Sequence, residues 1–158
     1  MLLIASLRRM QGNRTENKKI INASPLEYDG ISFKSKLEKM AYQTLKEQGF
    51  PVEYEPRKFI IWKGFRPNVP FYNKDASTRM LKMDSKKVID ISYTPDLMFE
   101  YNNHLIIIEM KGFENDTYPL KKKIFRKWLE SNYPNSIYFE IFTKMQLLQA
   151  IDIIKSLD

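Results

Sequence analysis

Three side chains that could bind a metal ion and activate water lie close together in the second half of the chain. Asp96 follows Pro95, and Glu109 and Lys111 are alternate residues of a strand predicted over 104–111. Alternate residues of a strand share a face, about 6.5–7 Å apart. A hairpin joining the two segments would place Asp96 beside Glu109. Buried carboxylates near each other need a cation or a shared proton, and this sparse oxygen set suits Mg²⁺, which keeps several waters.

A lysine and a third carboxylate could complete this site. Lys111 is near enough to orient or deprotonate a water, provided that its pKa is lowered. Glu38 lies about 20° around a predicted helix from Leu45 and about 60° from Ala41, at the margin of the buried stripe, where it can reach over the sheet edge. The simpler interpretation of Glu109 and Lys111 is an ion pair at the sheet edge, which would contribute only ~0–1 kcal/mol.

The elements that must position these residues follow from periodicity and turn signals. Seven are predicted, in the order α-β-β-β-α-β-α, over residues 33–48, 51–63, 88–100, 104–111, 119–131 and 136–142, followed by a helix capped by Thr143. Ser32 is the predicted N-cap of the first helix, and Gly49 ends it. Asn102-Asn103 predicts a tight turn, since asparagine tolerates positive φ.

Apolar stripes indicate which faces are buried. The strand over 104–111 contains a continuous apolar run, which predicts cover on both faces. The stripe of the helix over 119–131 is predicted to contain Leu120, Ile124, Trp128 and Leu129, and that of the last helix Leu147, Leu148, Ile151 and Ile154. We therefore predict an α/β fold with helices on both faces of a sheet.

Composition and charge exclude some chemistries and favour a polyanionic partner. The 158 residues include no cysteine and one histidine, so disulfides, cysteine zinc sites and thiol nucleophiles are excluded. The net charge is +7; residues 57–87 carry nine basic and two acidic side chains, and residues 88–118 carry one and six. We expect neither a membrane span nor a signal peptide, because Met1–Leu7 is short and Arg8-Arg9 follow it, and we expect a cytoplasmic location.

Three sequence blocks together carry a family resemblance. They are FKSKLE at 33–38, YTPD at 93–96 and IEMKG at 108–112. In this combination they resemble the PD-(D/E)XK nuclease superfamily and, within it, the phage endonuclease I group of enzymes that resolve Holliday junctions. The chain also looks like small uncharacterised phage and prophage proteins. Ser35 matches the serine of the group's R-S-x-L-E pattern, whereas Lys34 replaces its arginine.

The resemblance implies a fold, a site and an assembly. The fold would be restriction-endonuclease-like, with a central mixed sheet flanked by helices. Glu38, Asp96, Glu109 and Lys111 would form the catalytic site; Asp96, Glu109, the backbone carbonyl of Met110 and, in addition, Glu38 would bind Mg²⁺, or Mn²⁺ in its place. The group acts as an intertwined homodimer, and residues 64–94 are long enough to be an exchanged connector.

Basic side chains near the predicted site are expected to contact DNA. They are Lys34 and Lys36, then Lys121, Lys122, Lys123 and Arg126 on one helix, and Arg8 and Arg9 in the N-terminal arm. A solvated helix face is the alternative for the helical set. We assign residues 1–29 to a basic arm and residues 30–158 to a single nuclease domain.

The expected function is a Mg²⁺-dependent, structure-specific DNA endonuclease that hydrolyses phosphodiester bonds, with branched DNA or a Holliday junction as its substrate. No separate module for reading base edges is present, which argues against a sequence-specific restriction enzyme. Two alternatives stay open: a general nickase or a nuclease of another substrate class, and a non-catalytic DNA-binding protein that kept the nuclease fold. If the protein is encoded by a bacteriophage, it would act in recombination in the cytoplasm of the bacterial host.

Overall fold

A computed structural model of the protein describes residues 26–112 and 117–157. In these two ranges the strands are β1 (Leu26–Tyr28), β2 (Ile31–Phe33), β3 (Glu53–Tyr54), β4 (Phe59–Trp62), β5 (Tyr72–Lys74), β6 (Leu81–Met83), β7 (Ile91–Tyr93), β8 (Leu97–Tyr101), β9 (His104–Met110) and β10 (Ser136–Ile141). The helices are α1 (Lys36–Glu47), α2 (Tyr118–Asn132) and α3 (Lys144–Lys155). None of these three helices is long and apolar enough to cross a membrane.

Four strands form the central sheet, in the spatial order β10-β9-β8-β3. β9 and β10 run parallel, whereas β8 is antiparallel to both β9 and β3. Parallel neighbours need a crossover connection, and α2 lies in the one between β9 and β10. The predicted α/β class is therefore confirmed, and the sheet is mixed.

β9 is buried on both faces, as its apolar run predicted. Ile106 and Ile108 pack with residues of α1 and α3 in one core cluster. Ile107 points to the other face, where it packs with Phe125 of α2 and Tyr93 of β7. Because side chains alternate along a strand, Glu109 lies on the same face as Ile107. The strand that carries the candidate catalytic residues is thus the centre of both cores.

The start of α1 differs from the prediction. The helix begins at Lys36, and its N-cap is Ser35 instead of Ser32. Residues 31–33 pair with β1, so the backbone at Ser32 is extended and cannot begin a helix. Ser35 has the extended conformation of an N-cap, and its hydroxyl accepts the backbone N–H of Glu38 at 3.1 Å. This cap places Glu38 in the first turn of the helix.

Turn and cap residues elsewhere match the predictions. Asn102 and Asn103 have φ of 44° and 62°, the left-handed pair that a tight two-residue hairpin requires. This hairpin joins β8 to β9. Gly49, with φ of 83°, follows the end of α1. Thr143 and Gln146 form a reciprocal capping box at the start of α3.

The buried stripe of α2 also differs from the prediction. Tyr118, Phe125 and Leu129 are its buried residues, whereas Leu120, predicted to face inward, is 62% exposed. Two residues correspond to about 200° around a helix, so Leu120 cannot share a face with Tyr118. In α3, Leu148 is likewise exposed instead of buried. In both helices, therefore, one leucine that was predicted to belong to the buried stripe lies beside that stripe and faces the solvent.

Residues 64–94, which the resemblance implies as an exchanged connector, contain the antiparallel hairpin β5–β6. Every residue of these two strands is exposed. The exchange of this stretch between subunits stays a prediction, and most of the predicted N-terminal arm lies outside the described residues.

The two leucines of α2 give a matched test of this packing. Leu129→Ala should lower the free energy of unfolding by about 2–5 kcal/mol, because Leu129 is buried in the core between α2 and the sheet. Leu120→Ala removes the same atoms from an exposed position and should change it by less than about 0.5 kcal/mol. Urea denaturation followed by circular dichroism measures both values. Equal losses for the two variants would contradict the observed orientation of α2.

Candidate active site

Asp96 lies in the short connection between β7 and β8. Its carboxylate Oδ2 accepts the backbone N–H of Met110 at 2.7 Å. Its carbonyl accepts the backbone N–H of Glu55 at 2.8 Å. The hairpin register pairs Leu97 with Ile108, so Asp96 lies level with Glu109 on the adjacent strand. The predicted juxtaposition of these two carboxylates is therefore present in the fold.

Glu109 is buried, with 4% of its surface exposed, near the end of β9. Its Oε1 lies 2.5 Å from the ammonium Nζ of Lys111. Its Oε2 is also buried and has no hydrogen-bond partner among the described residues. An unsatisfied buried carboxylate oxygen is costly, since the desolvation of the group is not compensated. This oxygen is the feature of the site that most needs a ligand.

The environment of Asp96 favours its neutral form. Burial raises the pKa of Asp96 to about 7, and the negative charge of Glu109 contributes to the increase. The N–H of Met110 and the positive charge of Lys111 oppose it. Two neighbouring carboxylates therefore share a site that cannot easily hold both charges without a further cation.

Lys111 follows β9 and is held from two sides. Besides Glu109, its Nζ lies 3.9 Å from the centroid of the Tyr118 ring, a cation–π contact. The side chain of Lys111 is 18% exposed. The ion pair with Glu109 is thus largely enclosed, unlike the exposed edge pair that the simpler interpretation of the sequence assumed.

Glu38 is buried and fully engaged by protein donors. Its Oε1 accepts the hydroxyl of Ser35 at 2.9 Å. Its Oε2 accepts the hydroxyl of Tyr54 at 2.6 Å and the backbone N–H of Lys34 at 3.3 Å. The charge of Glu38 contributes to the raised pKa of Asp96, so the two groups interact electrostatically. These contacts fit an electrostatic role better than direct metal binding.

The carboxylates fit a divalent cation of the Mg²⁺ type. Within the described ranges no group of three or more histidine, aspartate or glutamate side chains is close enough to form a complete protein cage. Asp96 and Glu109 adjoin each other, however, and one oxygen of Glu109 has no partner within those ranges. Mg²⁺ is usually held by one or two carboxylates, with waters and substrate phosphates as the other ligands. Metal binding by the carbonyl of Met110 stays a prediction.

A cluster of tyrosines beside Glu109 was missed by the sequence analysis. The hydroxyl of Tyr138 lies 3.0 Å from that of Tyr93 and 2.9 Å from that of Tyr118. Burial, followed by the charge of Glu109, raises the pKa of Tyr93, and burial raises that of Tyr118. The parallel register of β9 and β10 places Glu140 level with Glu109. The alternation of Tyr138 and Glu140 along β10 was the signal that could have revealed this cluster.

Glu55 is a further acidic residue near the site that sequence reasoning missed. It has φ of 43°, and its carboxylate forms an ion pair with Lys34. That hydrogen bond raises the pKa of Lys34, and the charges of Glu38 and Asp96 add to the effect. The ammonium of Lys34, predicted to contact DNA, is therefore already paired with Glu55 and interacts electrostatically with Glu38 and Asp96.

The other predicted DNA-contacting residues fall into three groups. Lys122 is paired with Glu140, its Nζ 2.9 Å from both carboxylate oxygens. The side chains on the exposed surface are those of Lys36, Lys121, Lys123 and Arg126. Arg8 and Arg9 lie outside the described residues. The α2 cations are thus divided between the site and the solvent.

A protein-family model described as "Protein of unknown function (DUF1064)" matches residues 18–140. This range includes all four predicted catalytic residues. No curated protein and no solved structure matches the chain.

The raised pKa of Asp96 predicts a pH-dependent stability. Folded Asp96 binds its proton up to about pH 7, whereas the unfolded carboxyl loses it near pH ~4, so stability should fall as the pH rises between these values. In EDTA, Asp96→Asn should therefore exceed the wild type in unfolding free energy by a few kcal/mol at about pH 8, and by much less at about pH 4. Urea denaturation at both pH values measures the difference, and exposed Glu100→Gln on β8 is the control. A difference that does not change with pH would contradict the burial of this carboxyl.

Proposed function

The chain belongs to the DUF1064 family, whose function is unknown, and we propose from the geometry of its site that it is a Mg²⁺-dependent DNA endonuclease that hydrolyses phosphodiester bonds. This proposal includes membership of the PD-(D/E)XK nuclease superfamily. The observation that carries it is the buried Glu109 carboxylate, which has one oxygen without a partner among the described residues and adjoins a second carboxylate, Asp96.

Asp96 and Glu109 would hold the divalent cation. When bound there, the cation supplies a Lewis acid for the phosphate and lowers the pKa of a water. Asp96 is tied to the backbone of β9 by the N–H of Met110, and Glu109 belongs to β9 itself, so the two carboxylates are positioned by the same strand. Such fixed geometry favours catalysis, since little reorganisation is needed during the reaction.

Lys111 acts on the nucleophile or on the charge that develops at the phosphate. Its ammonium is directed at the site by Glu109 and by the ring of Tyr118. If Glu109 held a divalent cation, its ion pair with Lys111 would be weaker, and the ammonium could then turn towards a water or a phosphate oxygen. Lys111 has no other carboxylate within 4 Å among the described residues.

Glu38 positions the site from the side of α1. It is anchored by Ser35 and Tyr54, and its negative charge reaches Asp96. We assign it an electrostatic role. A substitution there should be less severe than one at Asp96.

The proposed substrate is branched DNA, such as a four-way junction. Cleavage of a symmetric junction requires two related cuts, which a two-fold homodimer can make, so the proposal includes a homodimer. The test compares a four-way junction, a flap, a nicked duplex and a linear duplex at equal concentrations with Mg²⁺. Preference for the linear or nicked duplex would favour the general nuclease, and binding without cleavage of any substrate would favour the non-catalytic alternative.

Substitutions at the site test the assigned roles. Asp96→Asn, Glu109→Gln and Lys111→Ala should each lower the single-turnover cleavage rate by at least about 10²-fold, because each removes a metal ligand or the acid–base group. DNA affinity, measured by fluorescence anisotropy, should stay near that of the wild type. Glu100→Gln, a carboxylate at the opposite end of β8, is the matched control and should cleave normally. A site variant that keeps more than a few per cent of the wild-type rate would remove that residue from the mechanism.

Metal binding provides a test that does not depend on cleavage. Titration of the wild type with Mn²⁺, followed by calorimetry, should give binding that Asp96→Asn and Glu109→Gln each weaken strongly, because each removes one of the two carboxylate ligands. Glu38→Gln should keep most of the affinity because its oxygens are occupied by protein donors. Equal Mn²⁺ affinity in the wild type and in Glu109→Gln would place the metal elsewhere.

A further inference from the structure

Residues 59–93 form one long antiparallel ribbon. β4 pairs with β7 at its base, Phe65 and Val88 pair beyond them, and β5 and β6 form the outer hairpin. The N–H of Asp84 also donates to the carbonyl of Phe71, which connects the middle to the outer part. The pairs are nested, so the chain runs out along one strand and returns along the other. We call residues 63–90 the outer ribbon.

The outer ribbon presents positive charge to solvent. It contains seven basic side chains, all exposed: Lys63, Arg66, Lys74, Arg79, Lys82, Lys86 and Lys87. Its three acidic residues serve the ribbon's own backbone. Asp75 accepts the N–H groups of Ser77 and Thr78, Asp84 accepts that of Lys86, and Asp90 accepts that of Gly64. The cations are therefore what the ribbon offers to a partner.

The carboxylate of Asp75 is an example of an acidic side chain that is held by hydrogen bonds within the ribbon. The hydroxyl and N–H groups of Ser77 and Thr78 lower the pKa of Asp75 to about 2, with the Ser77 hydroxyl as the largest contribution. Asp75 also lies 3.8 Å from Lys82. This network shapes the tip of the hairpin, so the cations of β5 and β6 have a defined spacing.

One face of the hairpin combines apolar groups with a cation. The register pairs Tyr72 with Met83 and Lys74 with Leu81, and directly paired residues of antiparallel strands share a face. Leu81 is 75% exposed and Tyr72 57%. A two-stranded ribbon is marginal in water without a covered face, which indicates that a partner lies against it.

The ribbon begins and ends at the candidate active site. β4 starts four residues after Glu55, and β7 ends three residues before Asp96. A polyanion that lies along the ribbon would therefore continue towards the carboxylates. The major groove of a duplex admits a two-stranded ribbon, and apolar side chains can contact the methyl group of thymine there.

We propose that the outer ribbon binds duplex DNA. Its cations contact the phosphates, and the hairpin face that contains Tyr72 and Leu81 lies in a groove. This inference rests on the proposed function and deepens it, because it assigns the duplex arm beside the cleavage site to a specific element. The charge of the ribbon and the internal use of its three aspartates favour a polyanion over a second copy of this basic chain.

The test measures the salt dependence of binding to a labelled linear duplex. The full-length Asp96→Asn protein is the background, so that no cleavage occurs, and Lys74→Ala with Arg79→Ala is added to it. Each lost phosphate contact should flatten the plot of log affinity against log salt by about 0.9, so the double variant should flatten it by nearly two units and bind more weakly at least tenfold at low salt. Lys144→Ala with Lys155→Ala, on α3 at the other face of the sheet, removes the same charge and should change neither quantity by as much.

Leu81→Ser with Met83→Ser tests the apolar face. It should weaken duplex binding at high salt, where the phosphate contribution is small, and leave the salt slope unchanged. Equal effects of the ribbon and α3 charge variants would overturn the proposal. A second result would also overturn it: the wild type sediments as a dimer, Leu81→Ser with Met83→Ser sediments as a monomer, and the duplex affinity per chain is unchanged. The ribbon would then be an interface between copies of the chain.

The outcome is separable from that of the proposed function. If the wild type cleaves no DNA but the ribbon variants lose duplex binding, the ribbon proposal stands and the nuclease assignment fails. If the ribbon substitutions leave duplex binding unchanged in the Asp96→Asn background and leave cleavage unchanged when made in the wild type, while Asp96→Asn alone is inactive, the nuclease assignment stands and the ribbon proposal fails.

Discussion

The placement of a buried carboxylate, Glu109, beside a half-buried one, Asp96, at one end of the central sheet is the constraint on which the site depends. Asp96 directly precedes β8, and Glu109 lies on the adjacent strand β9; burial and, after it, the negative charge of Glu109 raise the pKa of Asp96. Nearby donors limit this cost, whereas the charge of Glu38 adds to it. The N–H of Met110 binds Asp96, the ammonium of Lys111 binds Glu109, and the hydroxyls of three tyrosines form a polar wall beside them.

The same constraint explains the order of residues along β9. Ile106, Ile107 and Ile108 are completely buried between helices on both faces, and the next residue is a buried glutamate. For packing alone, a further apolar side chain at position 109 would be more favourable than a charged one. The fold instead surrounds Glu109 with β10, α2 and the start of β8. A costly group placed where three elements converge is typical of a functional site, which supports the proposed metal centre.

Local signals in the sequence predicted much of the fold and the centre of the site. The asparagine turn, the capping box at Thr143 and the apolar run of β9 are properties of a few adjacent residues, and Asp96, Glu109 and Lys111 followed from the strand period and one hairpin. Long-range contacts could not be obtained in this way. Tyr54 and Tyr138 reach the site from strands whose register depends on the whole sheet, and β2 converted Ser32 from an expected cap into a strand residue.

The base of the ribbon and the candidate site share a packed aromatic residue. β4 and β7 are too short to be stable alone, but Phe59 and Tyr93 anchor them on Phe125 of α2. The rings of Tyr93 and Phe125 stack with centroids 4.1 Å apart. Tyr93 also belongs to the tyrosine cluster next to Glu109. One residue thus connects the base of the ribbon to the wall of the site.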